Sequence, residues 1–208
     1  MVVTNKILKR LSLYLCLLLF SFQTPSQADD IRDFQIEGMS IGDSLLDYMS
    51  INEIKKNFAK TKDHYTWLKE PLKFREAYIF TNPNFETYSS VSFLVNPDDN
   101  NYRIFFIRGM KDYVNSMDLC LKKRNEIASE IEKIISKFKK RESNFKSHLD
   151  KSGKSYHKQL IYKFNLGDEI LISCNDWEEK IRKKNNWTEG LSVAIQRKEI
   201  TDWWINKK

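Results

Sequence analysis

The sequence contains few of the residues that build metal centres and phosphate-binding loops. Its 208 residues include only three cysteines, three histidines, six glycines and four prolines. No CxxC or HxxxH pair occurs, which argues against a zinc site of the usual ligand spacing. The glycine patterns of P-loop and dinucleotide-binding proteins are absent, as is the GxSxG turn of α/β hydrolases. We therefore expect no metal and no cofactor. The absence of motifs disfavours an enzyme, and no catalytic residue is assigned.

Long apolar runs are also rare, and the one strong example lies near the N-terminus. Leu11–Phe22 is an apolar run of 12 residues, too short to span a bilayer as a stable helix. Three basic residues precede it, and the small residues Ser26 and Ala28 follow at positions typical of a cleavage site. This pattern predicts a signal peptide over residues 1–28, cleaved after Ala28, with an uncleaved anchor as the alternative. We expect the remaining chain to be periplasmic or secreted.

A strong excess of charge of one sign is missing once the signal peptide is set aside. Residues 29–208 hold 32 of the 35 basic residues and all 28 acidic residues, a net charge of +4. So small an excess gives little support for nucleic-acid binding. We expect one globular domain over residues 29–208, no nucleic-acid partner and at most a peripheral contact with a membrane. The oligomeric state stays open.

Two cysteines, Cys120 and Cys174, remain in the predicted mature chain. An even number of cysteines in an oxidising compartment is typical of a disulfide. The pair would close a loop of 54 residues, which is worth roughly 4 kcal/mol in the chain-entropy model. Two buried free thiols, or a reactive cysteine assisted by one of the three histidines, are the alternatives. Those histidines are His64, His148 and His157, and their scattered positions are typical of surface or half-buried side chains.

Two patterns of apolar and capping residues predict helices. Asn115–Lys140 carries one apolar stripe at spacings of three, four and seven residues, which predicts a long helix. Ser50 and Glu53 have the capping-box pattern of a helix start, and Glu199–Asn206 is expected to form a short C-terminal helix. Arg141–Ser155 is polar and predicts an exposed loop.

Alternating β-branched and aromatic residues predict strands, with one hairpin in each half of the chain. Pro97–Asn101 supplies the turn of the first hairpin and Leu166–Asp168 that of the second. The predicted strands are Glu76–Thr81, Tyr88–Asn96, Tyr102–Arg108, Tyr156–Asn165, Glu169–Cys174 and a segment through Leu191, Val193 and Ile195. Ile31–Ile36 is expected to be an edge strand or an extended arm. The fold class that follows is α+β, with a single antiparallel sheet of about five or six strands. One long helix and short N- and C-terminal helices would pack mostly on one face.

Tryptophan is concentrated near the C-terminus. Trp177, Trp187, Trp203 and Trp204 all fall within the last 32 residues. They form a candidate surface for a ligand or partner, either a platform for sugar rings or an amphipathic segment that contacts lipid. The alternative is a terminal helix that covers the core beside the disulfide.

Three further stretches are "IRDFQIEGMSIGDSLLDYMSINEIKKN", which begins at Ile31, "DKSGKS" at 150–155 and "SCNDWEEK" at 173–180. Together they resemble a family of small exported proteins from AT-rich marine bacteria that has no assigned activity. The resemblance spans most of the mature chain and implies export. The "GMSIGDS" segment and the order of elements after it are also faintly similar to the outer-membrane-assembly proteins of the BamE/SmpA type.

These observations predict a soluble binding or protein-interaction module of the cell envelope, whose partner would be an unknown envelope protein or a glycan. One alternative is an envelope hydrolase or transferase with a site assembled only in three dimensions. The other is a peripheral membrane or glycan binder that uses the Trp-rich C-terminal segment.

Overall fold

The structure is a computed structural model that describes residues 30–206, apart from 66, 69 and 81. The predicted signal peptide therefore lies outside the described residues. Within them, nine strands form one large and one small antiparallel sheet. The strands are β1 (Gln35–Ile36), β2 (Met39–Ser40), β3 (Arg75–Phe80), β4 (Ser90–Val95), β5 (Ile104–Asp112), β6 (Lys139–Lys146), β7 (Tyr156–Lys163), β8 (Glu169–Asp176) and β9 (Gly190–Gln196). β1 pairs with β2, and the other seven have the order β3-β4-β5-β9-β8-β7-β6.

Four α-helices and two short 3₁₀ helices occur in the described part of the chain. The α-helices are α1 (Ile51–Lys60), α2 (Met117–Ile134), α3 (Glu179–Asn185) and α4 (Lys198–Ile205), and the 3₁₀ helices are Ile31–Asp33 and Leu45–Asp47. The capping box at the start of α1 is confirmed. The Glu53 backbone N–H donates to the Ser50 hydroxyl at 3.3 Å, and the Ser50 backbone N–H donates to the Glu53 carboxylate at 2.8 Å.

The α+β class is confirmed, but the large sheet has seven strands instead of five or six, and a second, two-stranded sheet accompanies it. The additional strand is β6. The prediction assigned its residues to the end of the long helix and to the loop Arg141–Ser155, whereas α2 ends at Ile134. Almost every β6 side chain is exposed, because β6 is an edge strand with little packed on either face. Such a strand has no apolar alternation and is held by its pairing with β7.

The large sheet has one closed face and one open face. On the closed face α2 packs against β8 and β9, and Ile31, Ile36 and Met39 from the N-terminal segment join the same apolar cluster. On the open face α4 covers one end only, where Ile200 packs with Phe106. The expectation that the helices pack mostly on one face therefore fails for α4.

The disulfide links the helix layer to the sheet. Cys120 on α2 and Cys174 on β8 are bonded, with 5.9 Å between their Cα atoms, and both side chains are fully buried. The predicted pairing of these cysteines is therefore present in the structure. A bonded pair is consistent with a chain that folds in an oxidising compartment.

Candidate binding cleft

A cleft of about 750 Å³ lies over the open face of the sheet, beyond the end that α4 covers. Its floor includes Ser90, Met110 and Ser192, which the strand register aligns in one row across β4, β5 and β9. The same row continues to Ser173 on β8. Small hydroxyl side chains at these positions leave space above the sheet and offer groups that both donate and accept hydrogen bonds.

One wall of the cleft is aromatic and follows the edge strand β3. Tyr78 and Phe80 are two residues apart, so they point to the same face, and their rings stack with centroids 5.0 Å apart at 10°. Tyr65 and Trp67, from the segment between α1 and β3, continue this wall with ring centroids 5.3 Å apart. Phe80 is 65% exposed and Trp67 is 55% exposed, which is unusual for side chains of this size.

The other wall is formed by two tryptophans on either side of α3. The rings of Trp177 and Trp187 lie 4.4 Å apart at 47°. Asn186, with φ of 51°, ends α3 in the left-handed conformation and so turns Trp187 back toward Trp177. The Trp177 indole N–H donates to the Thr188 carbonyl at 3.1 Å, which holds the ring in place.

A charged cluster lies between the floor and the β3 wall. The carboxylate of Glu76 is almost fully buried; one oxygen lies 2.7 Å from Nδ1 of His64 and the other 3.4 Å from the Arg108 guanidinium. Nε of Arg108 also donates to the Ser92 hydroxyl at 3.2 Å, and its guanidinium stacks over Phe106 at 5.6 Å. About a third of the Arg108 side chain, 31%, stays exposed.

The pKa shifts in this cluster have opposite directions. The hydrogen bond with Glu76 raises the pKa of His64, against the effect of its partial burial. Burial favours the neutral form of Glu76, but the hydrogen bond from His64 and the charge of Arg108 outweigh it and lower the pKa of the carboxyl group. Burial also raises the pKa values of Tyr65 and Tyr78, so both hydroxyl groups stay protonated as donors.

The structure separates the four tryptophans that the sequence grouped together. Trp177 and Trp187 line the cleft, whereas Trp203 and Trp204 on α4 pack into the second apolar cluster. The Trp203 ring lies 5.3 Å from Phe74. For Trp203 and Trp204, this arrangement matches the alternative of a helix that covers a part of the core, but not its expected place beside the disulfide, because Cys120 and Cys174 lie in the other apolar cluster.

Several cleft residues were not identified from the sequence. They are Tyr65, Trp67, Tyr78, Phe80, Ser90, Arg108 and Ser192. Ser92 and Arg108 are polar residues within largely apolar strands. Because buried polar groups need hydrogen-bond partners, these two positions could have indicated a polar cluster from the sequence. Their meeting with Glu76 depends on the pairing of β3, β4 and β5, which no local pattern specifies.

The three histidines do not converge. His64 belongs to the charged cluster, and His148 is exposed. The His157 ring packs against the Trp177 ring, and its Nδ1 lies 2.8 Å from the Asn175 amide oxygen. Over the residues that the structure describes, no group of three or more His, Cys, Asp or Glu side chains could hold a metal ion. In the same part of the chain, no helix is both long and apolar enough to cross a membrane.

Comparison with known proteins identified no relative. No protein-family model matches the chain, and searches of curated proteins and of solved structures found no significant match. The family resemblances drawn from short stretches of the sequence therefore stay predictions.

Proposed function

We propose that the protein is a binding module of the cell envelope and that the cleft on the open face binds a saccharide. The observation that carries this proposal is the pair of aromatic walls on either side of a floor of hydroxyl and amide side chains. Ligand sites of this kind combine broad aromatic surfaces with a few well-placed polar groups. The proposal extends the expectation of a glycan-binding surface, but it moves that surface away from Trp203 and Trp204.

The chemistry of the lining fits a ring with hydroxyl groups. A pyranose has C–H groups on its faces, which pack on aromatic rings, and hydroxyl groups at its rim. Trp187 and Phe80 supply partly exposed rings on opposite walls. Ser90, Ser192 and Asn175 supply groups that donate and accept hydrogen bonds, as sugar hydroxyl groups do.

The balance of charge favours a ligand of low charge. Apart from His64, the described lining side chains include two cations, Lys60 and Arg108, and two anions, Asp63 and Glu76. Arg108 and Glu76 lie against each other, so each already has a counter-charge. The cleft therefore presents no strong field of one sign, and a neutral saccharide enters it without leaving a buried charge unpaired.

Titration of the purified protein with neutral oligosaccharides tests the proposal. N-acetylglucosamine and glucose oligomers serve as probes, followed by tryptophan fluorescence and calorimetry. Trp187→Ala should weaken binding roughly tenfold, and Phe80→Ser about fivefold, because each removes a ring surface. Phe145→Ser is the matched control, since Phe145 is a partly exposed phenylalanine on the open face of the opposite edge strand and does not line the cleft. No binding to any oligomer, or equal losses in Phe80→Ser and Phe145→Ser, would contradict the proposal.

A second candidate is a hydrolase or transferase that acts on the bound saccharide. It is favoured by the bond between His64 and buried Glu76, since a carboxylate on Nδ1 orients an imidazole that can act as a general base. Reducing-end release from a bound oligomer measures this activity. Turnover by the parent protein that His64→Gln abolishes, while binding is kept, would support the enzyme. Saccharide binding without any product after long incubation would contradict the enzyme and support the binding module.

The compartment is part of the same proposal. We infer an exported protein, periplasmic or secreted, that is cleaved after Ala28 and oxidised at Cys120 and Cys174. Intact mass and thiol titration of protein purified without reductant test both points. A mass that begins at Asp29 and no titratable thiol in denaturant are the expected results, and two free thiols would overturn the assignment.

A further inference from the structure

The edge of the sheet formed by β6 and β7 carries most of the unbalanced positive charge of the protein. Residues 133–163 contain ten basic and two acidic side chains, a net charge of +8, whereas the whole of residues 29–208 totals +4. Two of the ten basic residues, Lys140 and Lys163, form ion pairs with Glu132 and Glu169, which lie outside this segment. The rest of the mature chain is therefore net negative. A separation of charge this large creates a directional field that a uniform surface lacks.

Neither acidic residue of this segment neutralises the exposed lysines. Glu142 lies 3.3 Å from the guanidinium of Arg124 on α2. Asp150 is only 4% exposed, and its carboxylate accepts hydrogen bonds from the backbone N–H groups of Ser152, Lys154 and Ser155 and from the Ser155 hydroxyl. The negative charge of Asp150 thus faces inward and orders the loop.

The ordered loop brings lysines and apolar side chains together at the end of the β6–β7 hairpin. Exposed Lys146, Lys151 and Lys154 lie on the end of β6 and on the loop that follows it. The Lys146 side chain extends over the loop, within 4 Å of the position that a Cβ on Gly153 would occupy. Three large apolar or aromatic side chains are exposed at the same end, at fractions of 38–51%: Phe145, Leu149 and Tyr156.

We propose that this end of the hairpin, the basic tip (Phe145, Lys146, Leu149, Lys151, Lys154 and Tyr156), docks on an anionic phospholipid surface. Each lysine near such a surface adds electrostatic attraction, and exposed phenylalanine and leucine side chains can enter the boundary between headgroups and acyl chains. A soluble polyanion would need the charge alone, so the exposed apolar side chains favour the bilayer. Leu149 also lines the cleft, so the two surfaces adjoin there, but no other residue of the basic tip lines the cleft and the proposal does not rest on saccharide binding.

Flotation of the purified protein with lipid vesicles tests the proposal. The probes are phosphatidylcholine vesicles and equimolar phosphatidylcholine–phosphatidylglycerol vesicles, each at low and at high salt. Binding should require phosphatidylglycerol and weaken with salt. The triple variant Lys146→Gln, Lys151→Gln, Lys154→Gln should lower the partition coefficient at least about tenfold. Its matched control is the triple variant Lys55→Gln, Lys56→Gln, Lys62→Gln. This control removes the same charge from α1 and the residues just after it, which lie beside the opposite edge of the sheet, and it should change vesicle binding little.

A variant of unchanged charge separates the bilayer from other anions. Phe145→Ser should reduce vesicle binding while leaving retention on heparin and saccharide binding unchanged. Phe80→Ser should instead weaken saccharide binding while leaving vesicle binding and retention on heparin unchanged. Equal losses in the two lysine triples would overturn the location of the docking site. Binding to heparin or inorganic phosphate without vesicle binding would overturn the lipid surface as the partner. Failure of saccharide binding alone would leave this proposal intact.

Discussion

Nδ1 of His64 lies 2.7 Å from the carboxylate of Glu76, and that carboxylate is almost completely buried. The bond links the segment after α1 to strand β3. Arg108 on β5 approaches the other oxygen of the same carboxylate at 3.4 Å. Three parts of the chain therefore meet on one buried negative charge, so its loss should affect stability as well as the cleft.

The His64–Glu76 bond predicts a pH-dependent contribution to stability. Because the bond raises the folded-state pKa of His64, the stabilisation is fully present below the unfolded value of about 6.5 and is lost as pH rises through the raised pKa. His64→Gln should lower the free energy of unfolding by roughly 0.5–1 kcal/mol at about pH 5.5 and by less at about pH 9. Urea unfolding at both pH values measures this. His148→Gln, at an exposed histidine, is the control, and an equal loss at the two pH values would disprove the linkage.

Neutralising Glu76 should lower the free energy of unfolding more than neutralising an exposed acidic residue. Glu76→Gln leaves the Arg108 guanidinium without its counter-charge, and we expect a loss of about 3 kcal/mol at neutral pH. Glu70→Gln is the control, because Glu70 is 63% exposed and its ion pair with Arg75 spans 3.7 Å. That variant should lose no more than about 0.5 kcal/mol. Chemical denaturation compares them, and similar losses would show that Glu76 is not a buried structural charge.

Removal of the disulfide should lower stability without changing the fold. Cys120→Ala with Cys174→Ala frees a loop of 54 residues in the unfolded chain, and we expect a loss of roughly 2–4 kcal/mol. Guanidinium unfolding of the double variant beside the oxidised parent measures it. The parent in reductant should approach the variant. A parent unaffected by reductant, with no free thiols before treatment, would contradict this expectation.

Gly109 makes room for an aromatic ring on the closed face. A Cβ at Gly109 would lie 2.6 Å from the ring of Tyr88, a separation that real contacts do not reach. Gly109→Ala should therefore cost about 1–3 kcal/mol. The cost should shrink in a Tyr88→Ala background, since the obstructing ring is gone, and a double-mutant cycle on thermal or denaturant unfolding gives the coupling. If the two substitutions have additive effects on stability, contact with the Tyr88 ring is not the reason that position 109 requires glycine.

The two parts of the cleft differ in how far a sequence can predict them. Trp177 and Trp187 were candidates because tryptophan is concentrated near the C-terminus, and the short helix α3 between them brings their rings together. Tyr78, Ser192 and Arg108 were not, because they meet across strands that are far apart along the chain. Strand register brings them together, and register depends on the summed packing of a whole face rather than on any one residue.

By itself, the sequence determined the elements that depend on local chemistry. The capping box at Ser50 and Glu53, the apolar stripe of α2 and both hairpins follow from hydrogen bonds and side-chain periods within a few residues. It also indicated the pairing of Cys120 with Cys174, because only two cysteines remained. Tertiary structure alone decided that Lys139–Lys146 is a strand, since an exposed edge has no buried face to leave a pattern. It likewise decided which tryptophans line the cleft, because α4 folds Trp203 and Trp204 onto the far end of the open face, while α3 leaves Trp177 and Trp187 beside a floor of serines.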